Sequence, residues 1–262
     1  MPIITLTTDL GLIDHYVSTV KAAIMRQLPD IKIVDITHQV PPFDLRHAAF
    51  VLRNSYNEFP KGSIHIIGVD TSFKGSSPYI ALYANNHYFI GCENGIFSLI
   101  LDVKPDVIVE LNVSQDSNNQ NFPLKEVMAN AACHIARGGT LELIGTPKST
   151  FSIERSSFNA TYDKNTIRGS IIHVDSYGNV ITNIKKELFK QISKLRKFSI
   201  HLGSRGHYTI NKLSQKYSDV PSGEALSLFM STGQLQIAIN AGSASSLMGL
   251  QRNDIIRIEF DD

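Results

Sequence analysis

Apolar and polar positions follow two different rhythms along this chain, and the rhythm changes near Pro147. Before it, short apolar runs alternate with amphipathic stretches. The run "IITLTT" reads as a buried strand. In "HYVSTVKAAIMRQL", Val17, Val20, Ile24 and Leu28 share one helical face, and Asp14 is the expected N-cap. "IKIVDI" is a second strand. "PPF" then breaks the chain, and Asp44 is placed to cap a helix through "LRHAAFVLRNSY". "SIHIIGV", "YIALYA" and "HYFIGC" read as strands, with Asn85 and Asn86 as a hairpin turn between the last two. "NGIFSLIL" predicts a short helix and "VIVEL" a strand. "LKEVMANAACHIAR" predicts a longer helix, stopped by Gly138 and Gly139. Such alternation predicts an α/β layer with a mostly parallel sheet.

After Pro147 the stretch "KSTFSIERSSFNATYDKNT" is polar and aperiodic, and it reads as a linker. From Arg168 the chain is strand-rich: "GSIIHVD", "NVITNI", "KFSIHL", "HYTI", "ALSLFM", "QLQIAI" and "DIIRIEF". The turn signals between these runs predict a small barrel or sandwich. The expected division is an N-terminal domain over 1–150, a linker over 151–167 and a C-terminal domain over 168–262.

Composition narrows the function classes. At 262 residues, with 42% hydrophobic and 19% charged residues, the chain is long and apolar enough to bury a sizeable core. A formal charge of +1 with no basic block argues against nucleic acid. No apolar run reaches bilayer-spanning length, and "MPIITLTTDL" lacks the layout of a signal peptide. Cys92 and Cys133 are the two cysteines, both in apolar surroundings, so a reduced, cytoplasmic setting is expected. No CxxC, HExxH or HxH pairing points to a zinc site, and no metal is expected.

Four stretches could carry chemistry. "TTDLG" puts Asp9 at the carboxyl end of the first strand, where ligands gather in open α/β sheets. Its carboxylate suits either the vicinal hydroxyls of a ribose or a turn that needs an acid. Asp9, Asp14 and His15 could also serve as metal ligands, a lesser reading because capping accounts for Asp14. No GxGxxG or GKS/GKT is present, so a diphosphate grip is not indicated. In "GVDTSFKGSSP", Asp70 stands where a strand meets a loop of small residues. "HVDSYGNVITNI" joins Asp175, Tyr177, Asn179 and Asn183, which fit a purine or, equally, a β-turn. "MSTGQLQIAINAGSAS" sets small and hydroxyl residues around two tight turns.

Together these stretches carry a resemblance. "ITLTTDLGLIDHYVSTVKAAI", "IVDITHQVPPFDLRHAAFVL", "HYFIGCENGIFSLIL", "HVDSYGNVITNI" and "GQLQIAINAGSAS" occur in the order found in one family. The chain resembles the S-adenosylmethionine hydroxide adenosyltransferases, which include the bacterial chlorinase and fluorinase enzymes. The resemblance implies an N-terminal three-layer α/β domain, a C-terminal small β-barrel and a homotrimer. S-adenosylmethionine, the substrate and not a cofactor, would lie between the N-terminal domain of one subunit and the C-terminal domain of the next. Water attacking the ribose C5′ would give adenosine and methionine. By position, Asp9 would hold the ribose hydroxyls, and Tyr177, Asn179 and the backbone near Ala241 would contact adenine. Asp175 would meet the methionine ammonium and Ser231 its carboxylate. The chlorinase and fluorinase have a tyrosine where this chain has Asp70, which places Asp70 with the hydrolases as the catalytic acid.

The chain also departs from that pattern. The family's hydrolases surround the acid with an arginine and a histidine that hold water. Here Ser76 and Ser77 stand at the arginine pair, and Pro123, with no side-chain donor or acceptor, stands at the histidine. Lys74, Ser76 and Ser77 are the candidate helpers; Thr71 and Ser72 could also donate to water. Leu124 occupies the position of a halide-contacting serine, which gives fluoride no support. Lys125 and Glu126 read as an ion pair at a helix start. A binder of S-adenosylmethionine or adenosine that has lost the chemistry is the alternative.

Overall fold

Strand β1 (Ile3–Thr8) lies between β2 (Lys32–Thr37) and β3 (Ile64–Gly68), parallel to both. This is a computed structural model of the chain, and it describes residues 2–71, 78–112, 121–155, 159–202 and 208–261. The chain divides into two units, Met1–Ser156 and Ser157–Asp262.

The first unit is built on a seven-stranded sheet of order β2-β1-β3-β5-β4-β6-β7. Its remaining strands are β4 (Tyr79–Ala84), β5 (His87–Cys92), β6 (Val107–Leu111) and β7 (Gly145–Pro147). The sheet is mixed rather than mostly parallel: β3 and β5 also run parallel, but β4/β5, β4/β6 and β6/β7 are antiparallel. The reason is local. Asn85 and Asn86 have φ 52° and 64°, the left-handed pair that a two-residue hairpin needs, so β4 and β5 must be antiparallel.

Helices cover both faces. On one, α1 (Tyr16–Gln27) and α4 (Ala129–Ala136) press Val20, Ile24, Ala132 and Cys133 onto Ile4, Leu6, Ile64 and Ile66. Each such fully buried aliphatic side chain stabilises by about 1.5–3 kcal/mol. On the other face, α2 (Leu45–Arg53) and α3 (Ile96–Ile100) pack with Phe89, Ile67 and Leu82. Asp44 caps α2 as expected, accepting from the His47 N–H at 3.0 Å. Asp14 does not cap α1: the helix starts at Tyr16 with His15 at the N-cap, and no side chain caps it. The predicted helix from Leu124 opens as a π turn, Leu124–Met128, before α4, and Lys125 pairs with Glu126 at 2.8 Å.

The second face also holds a buried polar cluster. His65 contacts the Thr5 hydroxyl at 2.7 Å through Nδ1 and His87 at 3.2 Å through Nε2, with Tyr56 and Phe89 against both rings. Burial, then the neighbouring His87, pushes His65 down to about 3.

The second unit is a nearly closed, barrel-like sheet of order β12-β11-β15-β9-β10-β14-β13. Its strands are β8 (Thr161–Tyr162, paired with β9), β9 (Thr166–Val174), β10 (Val180–Lys185), β11 (Phe198–Leu202), β12 (Tyr208–Ile210), β13 (Ala225–Phe229), β14 (Gln234–Ile239) and β15 (Ile255–Phe260). A bridge from Leu213 to Ser227 joins the chain after β12 to β13. Inward residues such as Ile167, Ile171, Ile237 and Ile258 form the core, with α5 (Lys186–Ser193) and α6 (Ala244–Met248) adding Phe189 and Ala244. Among the described residues of 151–167, Phe151 stacks on Phe97, Arg155 bonds to the Asn94 carbonyl, and Thr161 and Tyr162 pair with β9.

Candidate functional site

The order β2-β1-β3 puts a topological switch point at β1: the chain leaves β1 for a neighbour on one side and returns to it on the other. Side chains just beyond the carboxyl ends of β1 and β3 therefore face a common crevice, the usual ligand position in open α/β sheets. Asp9 follows β1, and Asp70 lies just beyond β3.

The structure brings these two acids together. Asp9 Oδ2 accepts from the backbone N–H of Asp70 at 3.3 Å and of Phe43 at 2.9 Å. Both donors are non-glycine residues in left-handed backbone, φ 47° for Asp70 and 65° for Phe43, a conformation that costs about 1–3 kcal/mol unless its surroundings hold it. Asp9 thus fills the turn role open to it in the sequence. Oδ1 of Asp9 has no hydrogen-bond partner among the described residues.

Three further clamps fix the Asp70 corner. The buried Asn94 amide donates to the carbonyls of Val69 and Asp70, each at 3.1 Å, and its Oδ1 accepts from Ile96 N–H. The Tyr79 hydroxyl donates to the Thr71 carbonyl at 3.3 Å. Burial, then Cys92, pushes Tyr79 up to about 12, so it keeps its proton for that bond. Burial, then the Asp70 and Glu93 carboxylates, pushes the Cys92 thiol up to about 11, which leaves it inert near neutrality. Gly68 gives room at the end of β3: a Cβ there would sit 2.7 Å from Leu124 Cδ2 and push that side chain aside.

A buttress stands behind Asp9. Thr8 Oγ1 contacts His38 Nδ1 at 2.8 Å, His38 Nε2 lies 3.0 Å from Asp35, and Lys21 reaches the other oxygen of Asp35. Partial burial opposes ionisation of Asp35, but the hydrogen bonds from Lys21 and His38 outweigh it and hold the carboxyl below its usual range. Leu10 and Thr71, next in sequence to Asp9 and Asp70, line a cavity of about 390 Å³ with His15, Tyr16, Phe122 and Pro123. Lys74, Ser76 and Ser77 lie outside the described residues. Among the described residues no group of three metal-ligating side chains forms, so Asp9, Asp14 and His15 do not make a metal set.

In the second unit, Asp175, Tyr177, Asn179 and Ala241 lie at one end of the β9–β10–β14 strands. Asp175 Oδ1 accepts from the N–H groups of Tyr177 and Asn179 at 3.0 and 2.8 Å, and Oδ2 from the Asn179 amide at 2.9 Å. Gly178, at φ 79°, presses on the loop before α6, where a Cβ would meet Ser243 Oγ at 2.0 Å. Its carbonyl accepts from Ser245 N–H. Tyr177 is 79% exposed, so its ring is an open face, whereas Asn179 is buried. Ala241 follows β14 with φ 55°. Ser231 is not brought to this cluster. It precedes β14, and six strand residues, about 20 Å, separate it from Ala241.

Sequence reasoning missed Phe43 and Asn94. Phe43 is 69% exposed beside the Asp9 carboxylate, yet "PPF" reads as a chain break. The signal for Asn94 was a pair of polar residues, Glu93 and Asn94, in the otherwise apolar "GCENGIF".

Residues 4–145 match the family described as SAM hydroxide adenosyltransferase N-terminal domain, and residues 169–257 match its C-terminal domain. The chain is 26% identical to a protein of Salinispora tropica named (R)-S-adenosyl-L-methionine hydrolase, covering 98% of this chain and 97% of that one. Identity is 28% to a Methanocaldococcus jannaschii protein of the same name, over 99% and 97% of the two chains. It is 23% to a Nocardia brasiliensis fluorinase, over 98% and 97%. Among solved structures, an uncharacterised conserved protein from Thermotoga maritima superposes with a TM-score of 0.86 at 29% identity, covering 98% of this chain and 99% of that one. Both halves of the sequence thus match, and the chain belongs to the SAM hydroxide adenosyltransferase family.

Proposed function

We propose that the protein hydrolyses S-adenosyl-L-methionine. Water attacks the ribose C5′, the C5′–S bond breaks, its electron pair leaves with sulfur, and adenosine, L-methionine and a proton are released. The sulfonium departs as a neutral thioether, so the leaving group needs no acid. The task left to the protein is to place water in line and keep bulk solvent away.

The observation that carries the reading is Asp70, held in left-handed backbone between Asp9 and Asn94 beside a cavity. Strain maintained by three separate clamps marks a position where geometry matters more than stability. The relatives named (R)-S-adenosyl-L-methionine hydrolase, at 26–28% identity, support the same activity.

In this reading Asp70 orients the water, and Ser76, Ser77 and Lys74 assist it. Asp9 accepts from the ribose through its free Oδ1. Tyr177 stacks on adenine, and Asn179 with the Ala241 backbone reads its edge. Asp175 takes the methionine ammonium. The working form is a homotrimer in which one subunit's N-terminal unit and the next subunit's C-terminal unit share each ligand. S-adenosylmethionine is the substrate, and neither a cofactor nor a metal takes part. The setting is cytoplasmic; among the described residues no helix is long and apolar enough to cross a membrane.

The test is to incubate purified protein with S-adenosylmethionine and separate the products. Adenosine and methionine in equal amounts, lost in Asp70→Ala, support the reading; no product above the buffer blank refutes it. A second reading, a binder without turnover, draws on Pro123, which lines the cavity and offers water neither donor nor acceptor. It requires a thermal shift with adenosine or S-adenosylmethionine and no product.

A further inference from the structure

The cavity beside Asp70 carries a base. We propose that His15 is the proton acceptor for the attacking water, an inference that rests on the hydrolase reading. His15 lines the cavity together with Leu10 and Thr71, the residues that directly follow the two acids. Its backbone is fixed at the start of α1, where its carbonyl accepts from Thr19 N–H at 3.0 Å and Ser18 Oγ at 2.7 Å.

The ring is oriented as well. It packs on Tyr16 with centroids 4.6 Å apart, and Tyr16 meets Phe122 edge-on at 5.6 Å. Among the described residues neither imidazole nitrogen has a hydrogen-bond partner, so both are open to the cavity or to solvent. A side chain held by ring packing while its polar atoms stay unspent is poised for a ligand.

No other side chain lining the cavity competes for the proton. Lys125 is a cation paired with Glu126. Thr19, Thr71 and Asn121 are not bases, and Pro123 has no polar side-chain atom. Imidazole is the side chain suited to proton exchange near neutral pH. The step balances. As the water oxygen bonds to C5′ and the C5′–S pair leaves with sulfur, one water proton passes to an imidazole nitrogen and from there to solvent. Of the titratable groups, Tyr16 and Lys125 line the cavity with His15, Asp14 precedes it in the chain, Glu126 pairs with Lys125, and Asp70 precedes the lining residue Thr71.

The experiment measures kcat and KM for adenosine release from about pH 5 to 9, for wild type and His15→Gln. The acceptor takes the proton only when it is neutral, so wild-type kcat rises from the acid side. In His15→Gln kcat falls about 100-fold, KM changes little and that rising limb disappears. Because His15 is exposed, the variant folds as the parent does, which a melting curve verifies. A His15→Gln enzyme with the parent's kcat overturns the inference and leaves the hydrolase reading standing, and so does one with lower kcat but the parent's pH profile. No adenosine from the wild type in the same assay overturns both.

Discussion

One carboxylate oxygen of Asp9 holds the backbone N–H of Asp70 at 3.3 Å across two parallel strands, and the same oxygen holds Phe43 at 2.9 Å. Asp9 fixes the backbone of the corner with one oxygen, and in the proposed reading the other takes the ribose, which gives it two jobs. Asp9→Ala should cost about 1–2 kcal/mol, because two turn N–H groups lose their acceptor but can partly regain water. It should also abolish the stabilisation conferred by adenosine. Asp9→Asn keeps an acceptor oxygen and should recover most of the stability. Urea unfolding with and without adenosine separates the two jobs.

Asp70 should show the opposite balance. Its φ of 47° suits glycine better than a side chain. Asp70→Gly should abolish adenosine formation while leaving the melting temperature unchanged or slightly raised. A large drop in melting temperature would mean that the acid is structural.

The His65 cluster predicts how stability depends on pH. Its folded value, about 3, lies below the ordinary 6.5, so between those values the unfolded chain binds more protons. Stability is fully present above pH 6.5 and is lost as the pH falls below it, by at most about 1.4 kcal/mol per pH unit from this group. His87, also lowered by burial, acts in the same direction. Denaturant unfolding near pH 7.5 and pH 5 should show the loss, and His65→Gln should shrink it. An unchanged pH slope in His65→Gln would exclude the buried imidazole as its source.

Tyr177 should matter to binding and not to folding. With 79% of its surface exposed, it contributes little to the core. Tyr177→Ala should keep the parent's melting temperature and weaken adenosine binding by about 1–3 kcal/mol, the range for one base stacked on one aromatic ring. Titration calorimetry with adenosine reads this directly, and unchanged affinity would remove Tyr177 from the site.

Much of this molecule could be read from its sequence because local rules govern it. The left-handed Asn85–Asn86 turn, the Asp44 cap and the seven apolar runs of the second unit follow from residue types a few positions apart. The β4–β5 hairpin was legible in Asn85 and Asn86, but the antiparallel pairings of β6 with β4 and β7 were hidden, because they join segments distant in the chain. Asp9 and Asp70 could each be singled out as an acid ending a strand. Their hydrogen bond could not, since it spans 61 positions and exists only because β1 and β3 are neighbours. Asn94 is of the same kind: the carbonyls it holds, of Val69 and Asp70, arrive from the end of β3. Asp14 misled because an acid before a helical pattern usually caps it, whereas α1 begins two residues later.

The central claim is that water is delivered to C5′ at the Asp70 corner. The most direct measurement is the mass of adenosine formed from S-adenosylmethionine in oxygen-18 water. The account predicts adenosine carrying one oxygen-18 at its 5′ position, formed by wild type and absent with Asp70→Ala. Adenosine without the label, or none beyond a protein-free control, would contradict it.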